Sequence, residues 1–405
     1  MEYKKLGHIA KIQTGPFGSQ LHQSDYKPTG IPCIMPCNIG SNLNIICDNI
    51  AYISEEDLNR LAKHKTQEGD IVYSRRGDIE KCAYISSRES GWLCGTGCLK
   101  VSIDSTIALP KYVAYLLSTP ESKAWLVGNA VGTTMLNLNT TVLSDFPICL
   151  PDLDTQQKVV EIIDSIADKI ELNKRINDNL EQQALALYKS WFVDFEPFKD
   201  GDFVESELGL IPKGWKVAEL SSVTKQITEK VKDRTDVKVL SPVNTGELVL
   251  SEEYFTKQVF SESVSKYIVV KPLQFAYNPA RVNIGSLGMN TFTFDGCVSP
   301  VYVVFECESN YHHFFDYYRK TDGFKEEVLT RAIGGVRQTL SYKDFSLMKL
   351  VYPPQEVVEK FNSIYGKLLD NINSIKSENT KLSDLRDTLL PKLMSGELKI
   401  NEIDC

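Results

Sequence analysis

Two pairs of cysteines have the spacing closest to a metal site in this sequence. Three residues separate Cys33 from Cys37, and three separate Cys94 from Cys98. Zinc sites favour two intervening residues in each pair, so the match is loose. Ten cysteines in 405 residues are also too sparse for a disulfide scaffold. Reduced thiols packed as small apolar side chains therefore fit better than zinc ligands, and no metal is expected.

Signatures of enzyme chemistry are incomplete elsewhere in the chain. Base methylation would need a glycine-rich cofactor loop and a D/N-P-P-aromatic motif, but residues 278–281 read N-P-A-R. No G-x-x-x-x-G-K-[ST] motif occurs, so ATP use is not expected. Five histidines do not assemble into a nucleophile–histidine–acid set. The sequence therefore predicts a protein that is not an enzyme and uses no cofactor.

The loop at residues 14–21, T-G-P-F-G-S-Q-L, is the remaining candidate for ligand binding. Its glycines permit positive φ, and its proline stiffens the turn. It lacks the lysine of a phosphate-transfer loop, but its backbone N–H groups, Ser19 or Gln20 could contact a phosphodiester. Taken alone, the pattern is more typical of a turn between strands without a ligand.

Composition predicts a cytoplasmic protein of two or three domains. Apolar residues make up 42% of the chain and charged residues 24%, with no signal peptide and no run of about 18 apolar residues, so no membrane contact is expected. The net charge of −8 lies almost wholly in residues 151–207. We expect this acidic stretch to face a protein partner rather than phosphate, whereas the near-neutral remainder can still present basic surfaces.

The chain repeats itself after 202 residues. Identical, ungapped matches are Ser144/Ser346, Pro151/Pro353, Lys158/Lys360, Ile162/Ile364, Asp168/Asp370, Ile170/Ile372, Lys174/Lys376, Asn177/Asn379, Leu180/Leu382 and Leu187/Leu389. A repeat of half the chain predicts two globular parts, each followed by a helix, with internal two-fold pseudo-symmetry.

The helices are predicted from apolar residues at alternating steps of three and four, which is the coiled-coil period. They begin after Pro151 and after residues 353–354, and about 40 residues give a rod of about 60 Å. The first seam is Ile163, Ile166, Ile170, Asn173, Asn177, Leu180, Ala184, Leu187 and Trp191. The second is Phe361, Tyr365, Leu368, Ile372, Ile375, Asn379, Leu382, Arg386, Leu389 and Leu393.

Each helix has one narrow apolar stripe, which favours one partner helix. The two are predicted to form an antiparallel coiled coil in which Asn177 pairs with Asn379 and sets the register. The alternatives are that both asparagines face solvent, or that the helices dock separately on other subunits.

The globular parts are predicted to be α+β. Strands are expected at 70–74, 274–277 and 298–306, and helices at 110–117, 121–127, 311–319 and 323–330. The predicted division is a globular part at 1–150, a helical segment at 151–200, a globular part at 201–352 that begins with a linker at 201–214, and a helical segment with tail at 353–405.

Four motifs resemble one family across the whole chain. They are G-P-F-G-S-Q-L (15–21), L-Y-K-S-W-F-V-D-F-E-P-F (187–198), L-G-L-I-P-K-G-W (208–215) and L-L-P-K-L-M-S-G-E-L (389–398). Together with the repeat they resemble the specificity subunit of a type I restriction-modification enzyme. The segment 187–215 is the most specific part of the resemblance.

The resemblance implies a non-catalytic subunit that recognises DNA. Each globular part would be a target-recognition domain, and the helices a spacer, so double-stranded DNA would be read at a bipartite target with a nonspecific gap. Two modification subunits would methylate adenine, and restriction subunits would add ATP-dependent translocation and cleavage. Two alternatives remain open: a coiled-coil protein scaffold without DNA specificity, and the recognition part of a fused restriction-methylation enzyme.

Candidate contact residues follow from the resemblance and from base chemistry, in which Arg pairs with guanine and Asn or Gln with adenine. They are Ser19, Gln20, Lys27, Arg75 and Arg76 in the first part, and Asn278, Arg281, Asn283, Arg337 and Gln338 in the second. Each could instead be an ordinary exposed polar residue. The aromatic residues Trp191, Phe192, Phe195 and Phe198 are predicted to dock a modification subunit, to pack on the chain's own domain, or both.

Overall fold

The computed structural model describes residues 4–132, 136–254, 261, 263–331 and 339–398. Its contacts divide the chain into two compact units. The first unit is Met1–Lys174 with Lys376–Cys405, and the second is Arg175–Ile375. Each unit thus combines one globular part with one half of each long helix.

The first half of the chain contains nine strands and five α-helices among its described residues. The strands are β1 (Lys4–Lys5), β2 (Ala10–Thr14), β3 (Ile31–Ile34), β4 (Ala51–Ile53), β5 (Ile71–Ser74), β6 (Cys82–Tyr84), β7 (Leu93–Cys94), β8 (Cys98–Ile103) and β9 (Pro147–Ile148). The helices are α1 (Glu55–Arg60), α2 (Pro110–Ser118), α3 (Pro120–Asn129), α4 (Thr140–Ser144) and α5 (Leu153–Phe192).

The second half repeats this organisation with additional strands. The strands are β10 (Phe203–Ser206), β11 (Gly209–Pro212), β12 (Lys216–Glu219), β13 (Thr224–Ile227), β14 (Lys238–Pro242), β15 (Leu248–Leu250), β16 (Ile268–Val270), β17 (Phe275–Tyr277), β18 (Leu287–Met289), β19 (Gly296–Val298), β20 (Val303–Cys307) and β21 (Lys349–Tyr352). The helices are α6 (Leu220–Val223), α7 (Ser251–Tyr254), α8 (His312–Tyr318), α9 (Asp322–Arg331), α10 (Tyr342–Ser346) and α11 (Gln355–Ser395).

The two globular parts have the same strand order. The main sheet of the first runs β2-β8-β5-β6 and that of the second β13-β20-β17-β18, all antiparallel. The smaller sheets run β4-β3-β7 and β15-β14-β19, with β16 added at the edge of the second. In both, the inner pairs β3–β7 and β14–β19 are parallel. The sequence repeat is therefore also a structural repeat.

The central strands β5 and β17 are apolar on both faces, since each separates two cores. In β5, Ile71 and Tyr73 join one cluster and Val72 joins another. In β17, Phe275 and Tyr277 join the core of the second unit. Alternate side chains of a strand point to opposite faces, so a continuous apolar run is what a strand covered on both sides requires.

The halves of the long helices run antiparallel inside each unit. In the first unit, Val159 and Ile163 of α5 share a cluster with Leu390 and Leu393 of α11. In the second unit, the rings of Tyr188 and Phe192 at the end of α5 lie 6.2 and 5.0 Å from Phe361 near the start of α11. Among the described helices, none is long and apolar enough to cross a membrane.

The asparagine pairing differs from the prediction by one helical turn. Asn379 Oδ1 accepts a hydrogen bond of 2.9 Å from Asn173, whose amide also donates to Glu378 at 2.7 Å. In an antiparallel pair with this register, the residue opposite Asn177 is Ile375. The Oδ1 atom of Asn177 is buried and has no hydrogen-bond partner. The prediction assumed that equivalent positions of the repeat would meet, whereas the register brings Asn173 to Asn379.

The seam of α5 also changes after Ala184. Tyr188 and Phe192 are buried, whereas the predicted seam residues Leu187 and Trp191 are only half-buried. Steps of four replace the alternation of three and four, because this end of the helix packs on the globular core of its unit as well as on a helix. The predicted linker at 201–214 contains the β10–β11 hairpin.

Candidate nucleic-acid interface

The loop after β2 is held against the turn that joins β7 to β8. The Gly15 N–H donates to the Cys98 carbonyl at 2.9 Å. A Cβ atom at Gly15 would lie 2.0 Å from the Gly95 carbonyl oxygen, so only glycine fits this close approach. The shape of the T-G-P-F-G-S-Q-L loop thus depends on backbone contacts made at its first glycine.

Three candidate residues in and after this loop differ in whether their side chains are free to contact a ligand. Gln20 closes its own turn, because its Oε1 accepts from the Phe17 N–H at 3.2 Å and its own N–H donates to the Phe17 carbonyl at 2.8 Å. Ser19 is exposed. Lys27 is also exposed, and its Nζ donates to the Ser24 carbonyl at 3.4 Å. Ser19 and Lys27 are therefore accessible to a ligand, whereas the Gln20 amide is engaged in the loop.

Arg75 lies directly after the central strand β5 and beside the loop. Its guanidinium carbon is 5.8 Å from the centre of the Phe17 ring, which is within cation–π range. Phe17 is 54% exposed. The exposed ring and the cation thus form a joint surface at the end of β5. Arg76 is exposed and forms a backbone bridge with Asn137.

Two buried polar atoms near the end of β5 have no hydrogen-bond partner. One is the Nε donor of Arg75, and the other is the Oδ1 acceptor of Asn137. Buried polar groups in folded proteins are normally paired, so such atoms call for an explanation. We call Phe17, Arg75 and Asn137 the Arg75 site.

The second unit ends its central strand β17 in a different loop. Asn278 Oδ1 accepts from the Ala280 N–H at 3.0 Å, so this side chain shapes the loop. Arg281 is exposed, and Asn283 is half-buried in the following turn. Gly285 has φ 95°, and a Cβ there would lie 2.6 Å from a backbone oxygen. Arg281 and Asn283 are thus presented on one tight loop, whereas the predicted contacts Arg337 and Gln338 lie outside the described residues.

The candidate arginines also differ from other arginines in their ion pairs. Within the described ranges, no carboxylate is within ion-pair distance of Arg75, Arg76 or Arg281. Six arginines elsewhere have acidic partners, namely Arg60, Arg88, Arg234, Arg319, Arg331 and Arg386. A cation that is not neutralised by its own chain remains available for phosphate or a base edge.

The cysteine pairs lie on strands and turns of the first unit. Burial raises the pKa of Cys33 and of Cys94 to about 12, and it also raises the pKa of Cys98. Thiols in this environment are protonated, whereas metal ligation requires thiolates. Across the described residues, no group of three or more His, Cys, Asp or Glu side chains could hold a metal ion.

The predicted aromatic cluster packs largely within its own unit. Its centre is Trp215, whose ring lies 6.0, 5.4 and 5.1 Å from Phe192, Phe195 and Phe198. Trp191 is half-buried and contacts Phe198 at 6.2 Å. The two motifs at 187–198 and 208–215 are therefore one packing unit. Docking of a modification subunit on this cluster stays a prediction.

Sequence reasoning missed two members of the Arg75 site. Phe17 stood in the quoted loop, but only the tertiary contact shows that its ring supports Arg75. Asn137 carried no motif. The available signal was its neighbour Leu138, which aligns with Leu340 in the repeat. Both leucines donate a backbone hydrogen bond to the segment that follows the central strand, at Arg75 and at Pro279.

Comparison with known proteins agrees with this arrangement. Residues 1–182 match the family described as type I restriction modification DNA specificity domain. The chain is 26% identical to the type I restriction enzyme MjaIX specificity subunit of Methanocaldococcus jannaschii, over 99% of this chain and 94% of that protein. It is 23% identical to the HindI specificity subunit of Haemophilus influenzae, over 91% and 95% of the two chains.

Two solved structures share the fold over nearly the full length. The S subunit of a type I restriction-modification system from M. genitalium gives a TM-score of 0.56 at 13% identity, over 97% of this chain and 95% of that one. A chain from a study of complex assembly and conformational transition of the type I R-M system gives 0.50 at 15% identity, over 98% of each.

The matched domain covers the first globular part, and the second globular part repeats its strand order. The chain is similar to type I restriction enzyme specificity subunits over nearly its whole length.

Proposed function

We propose that the chain reads a bipartite DNA target, with one part bound by each globular unit and a nonspecific gap between the parts. The observation that carries this proposal is the repetition of one strand order in two units, each of which presents an unpaired arginine after its central strand. Two units that share one fold but differ in the loop after the central strand fit a target with two different parts.

We further propose that α5 and α11 form an antiparallel coiled coil that acts as the spacer. Helices of 40 and 41 residues are about 60 Å long. Readers on one face of a duplex lie about 34–36 Å apart for one helical turn, or at multiples of that distance. Helices of this length can span such a separation even when their ends pack on the units.

The proposed partners are two modification subunits and the restriction subunits of a cytoplasmic complex. In this assembly the chain supplies recognition, whereas the partners supply adenine methylation and ATP-dependent cleavage. The acidic segment 151–207 supports a protein-facing role for the helical region, since fourteen acidic and six basic residues would repel DNA phosphates.

The alternative is a coiled-coil scaffold that binds protein but has no DNA specificity. Among the described residues, Arg75, Arg76 and Arg281 have no acidic ion-pair partner, which favours DNA recognition because cations without acidic neighbours suit a polyanion. A second alternative is the recognition part of a fused restriction-methylation enzyme. It would have the same two DNA-recognition units, and it would differ in being joined to the methylation and restriction parts in one polypeptide.

Methylome sequencing tests the proposal directly. A host that expresses this chain with its neighbouring modification subunit is compared with the same host lacking the chain. We expect a methyladenine motif in two parts with a fixed gap, and we expect the motif to disappear on deletion. A methyltransferase that is active with another specificity subunit, but yields no motif dependent on this chain, would favour the scaffold alternative.

A further inference from the structure

The backbone at Arg75 is fixed on both sides, so the position of its side chain is set by the fold. The Arg75 N–H donates to the Gly97 carbonyl at 2.8 Å, and the Arg75 carbonyl accepts from the Leu138 N–H at 2.9 Å. These bonds tie the residue to two other segments of the first unit. A side chain that leaves such an anchored backbone is pre-organised for recognition.

The Arg75 side chain is held by a ring rather than by a carboxylate. Its guanidinium lies over Phe17, and no acidic side chain within the described ranges pairs with it. By contrast, the Arg319 guanidinium donates to Asp316 from both Nε and Nη2, at 2.9 and 2.6 Å. Arg75 Nε is buried without an acceptor. An unmet donor on a charged group is costly, so the arrangement suggests a function that requires it.

Asn137 carries a complementary atom, which is not bonded to Arg75 in this structure. Its Oδ1 is a buried acceptor without a donor, and its backbone bridges that of Arg76, next to Arg75. If Asn137 accepts from Nε, the guanidinium is oriented and both terminal Nη groups remain for a ligand. A fork of two parallel donors matches the O6 and N7 acceptors of guanine in the major groove.

We propose that Arg75 reads a guanine in the target part bound by the first unit, with Phe17 as its supporting ring and Asn137 as a positioning residue. The inference rests on the proposed function, and it names one base for one residue. It does not extend to a phosphate contact, for which any cation at this place would serve.

The structural repeat limits the proposed guanine contact to the first unit. The bond from Leu138 to the Arg75 carbonyl corresponds to the bond of 3.0 Å from Leu340 to the Pro279 carbonyl. Proline therefore occupies the place of Arg75 in the second unit and has no side-chain donor. The second part of the target is read by other residues, and a change at Arg75 leaves it untouched.

The first test keeps the chain unchanged and modifies the DNA. The complex of this chain with its modification subunits is titrated with duplexes that carry the methylome motif, and exchange of residues 1–150 assigns one part to the first unit. Each guanine of that part is replaced in turn by 7-deazaguanine, which lacks the N7 acceptor. We expect binding to weaken about ten- to hundredfold at one position.

The second test changes the chain. Arg75→Lys keeps the charge but not the fork, and we expect its methylome to accept other bases at that one position while the second part and the gap stay the same. With Arg75→Gln, 7-deazaguanine is expected to add no further loss. Arg88→Gln is the comparison variant, because this exposed arginine of the first unit pairs with Glu89, and it is expected to retain the base preference.

Several outcomes overturn the proposal while the two-part motif survives. They are a first part without any G·C pair, equal binding with 7-deazaguanine at every position, or an Arg75→Lys methylome identical to the wild type. Because the 7-deazaguanine titration uses the wild-type chain, it decides the question even if the variants fold poorly. Loss of any chain-dependent motif in the wild type instead contradicts the proposed function itself.

Discussion

At the residue scale, His313 is a half-buried histidine that lacks a full set of partners. Its Nδ1 is buried without a hydrogen bond, and its ring contacts Tyr365 at 4.9 Å and His312 at 4.2 Å. Burial first, and then the neighbouring His312, lower the pKa of His313 to about 4, against a smaller raising effect of Asp316. The folded second unit therefore holds this imidazole neutral.

The lowered pKa of His313 predicts a loss of stability in mild acid. The pKa in the folded state is below the unfolded value of about 6.5, so the unfolded chain binds the proton first as the pH falls. We expect the free energy of unfolding to drop by about 2 kcal/mol between pH 6.5 and pH 4 from this group. Denaturant titrations at several pH values, followed by tryptophan fluorescence, measure it. His313→Phe should flatten the dependence, and an unchanged slope in that variant would contradict the assignment.

At the element scale, two asparagines one turn apart on α5 differ in their partners. Asn173 bonds to Asn379 and Glu378, whereas the Asn177 Oδ1 atom is buried and unpaired. Removing one member of a buried polar pair leaves the other unsatisfied, while removing an unpaired polar group leaves nothing behind. The same substitution should therefore have opposite effects at the two positions.

Leucine substitutions test this contrast. We expect Asn173→Leu to destabilise the protein by about 1–3 kcal/mol, because it leaves the Oδ1 atom of the half-buried Asn379 without its donor. We expect Asn177→Leu to stabilise by about 1 kcal/mol, because leucine would face Ile375 in an apolar seam. Melting temperatures of the two variants, compared with the wild type, provide the measurement. Equal losses at both sites would show that Asn177 has a partner of its own.

The aromatic packing around Trp215 is a second feature of this scale. Three rings from the end of α5 and the turn after it converge on this indole, and Phe195 adopts a left-handed backbone with φ 54°. A non-glycine residue in that region costs of order 1 kcal/mol or more, and here packing compensates for it. The contacts explain why the motifs 187–198 and 208–215 occur together.

Truncation of Trp215 should strongly destabilise the second unit. We expect Trp215→Ala to cost about 3–5 kcal/mol in the second unit, as is typical of large aromatic side chains in a core. Thermal unfolding of the variant gives the loss. If Trp191→Ala instead keeps stability but weakens co-purification with modification subunits, the half-buried Trp191 has the docking role predicted for the cluster. A loss of less than 1 kcal/mol for Trp215→Ala would argue against Trp215 as the packing centre.

At the scale of the whole molecule, the proposed spacer makes the gap of the target depend on helix length. Deleting residues 174–180 together with 372–378 removes one heptad from each helix and keeps Asn173 opposite Asn379. The helices become about 10 Å shorter. We expect the methylome motif to keep both parts and to have a gap shortened by one to about three base pairs. A deletion variant that retains the original gap, with both parts intact, would rule out the helices as the spacer.

The sequence by itself determined the features that depend on local periodicity. The helices begin close to the predicted prolines, and predicted strands and helices recur as β5, β17, α2, α3, α8 and α9. The period of 3.6 residues in helices and of two residues in strands can be detected from residues that are close together in the sequence. The repeat of 202 residues likewise predicted two similar units.

Only the tertiary structure decided which distant residues meet. The register of two antiparallel helices joined Asn173, rather than Asn177, to Asn379. Loop closure placed Phe17 under Arg75, 58 positions away in the sequence, and brought Asn137 beside them. Such contacts depend on packing of whole elements, where a shift of one turn changes every partner while leaving the local pattern intact. For that reason the resemblance to the family and the repeated architecture could be predicted from sequence, whereas the residue proposed to read guanine required the fold.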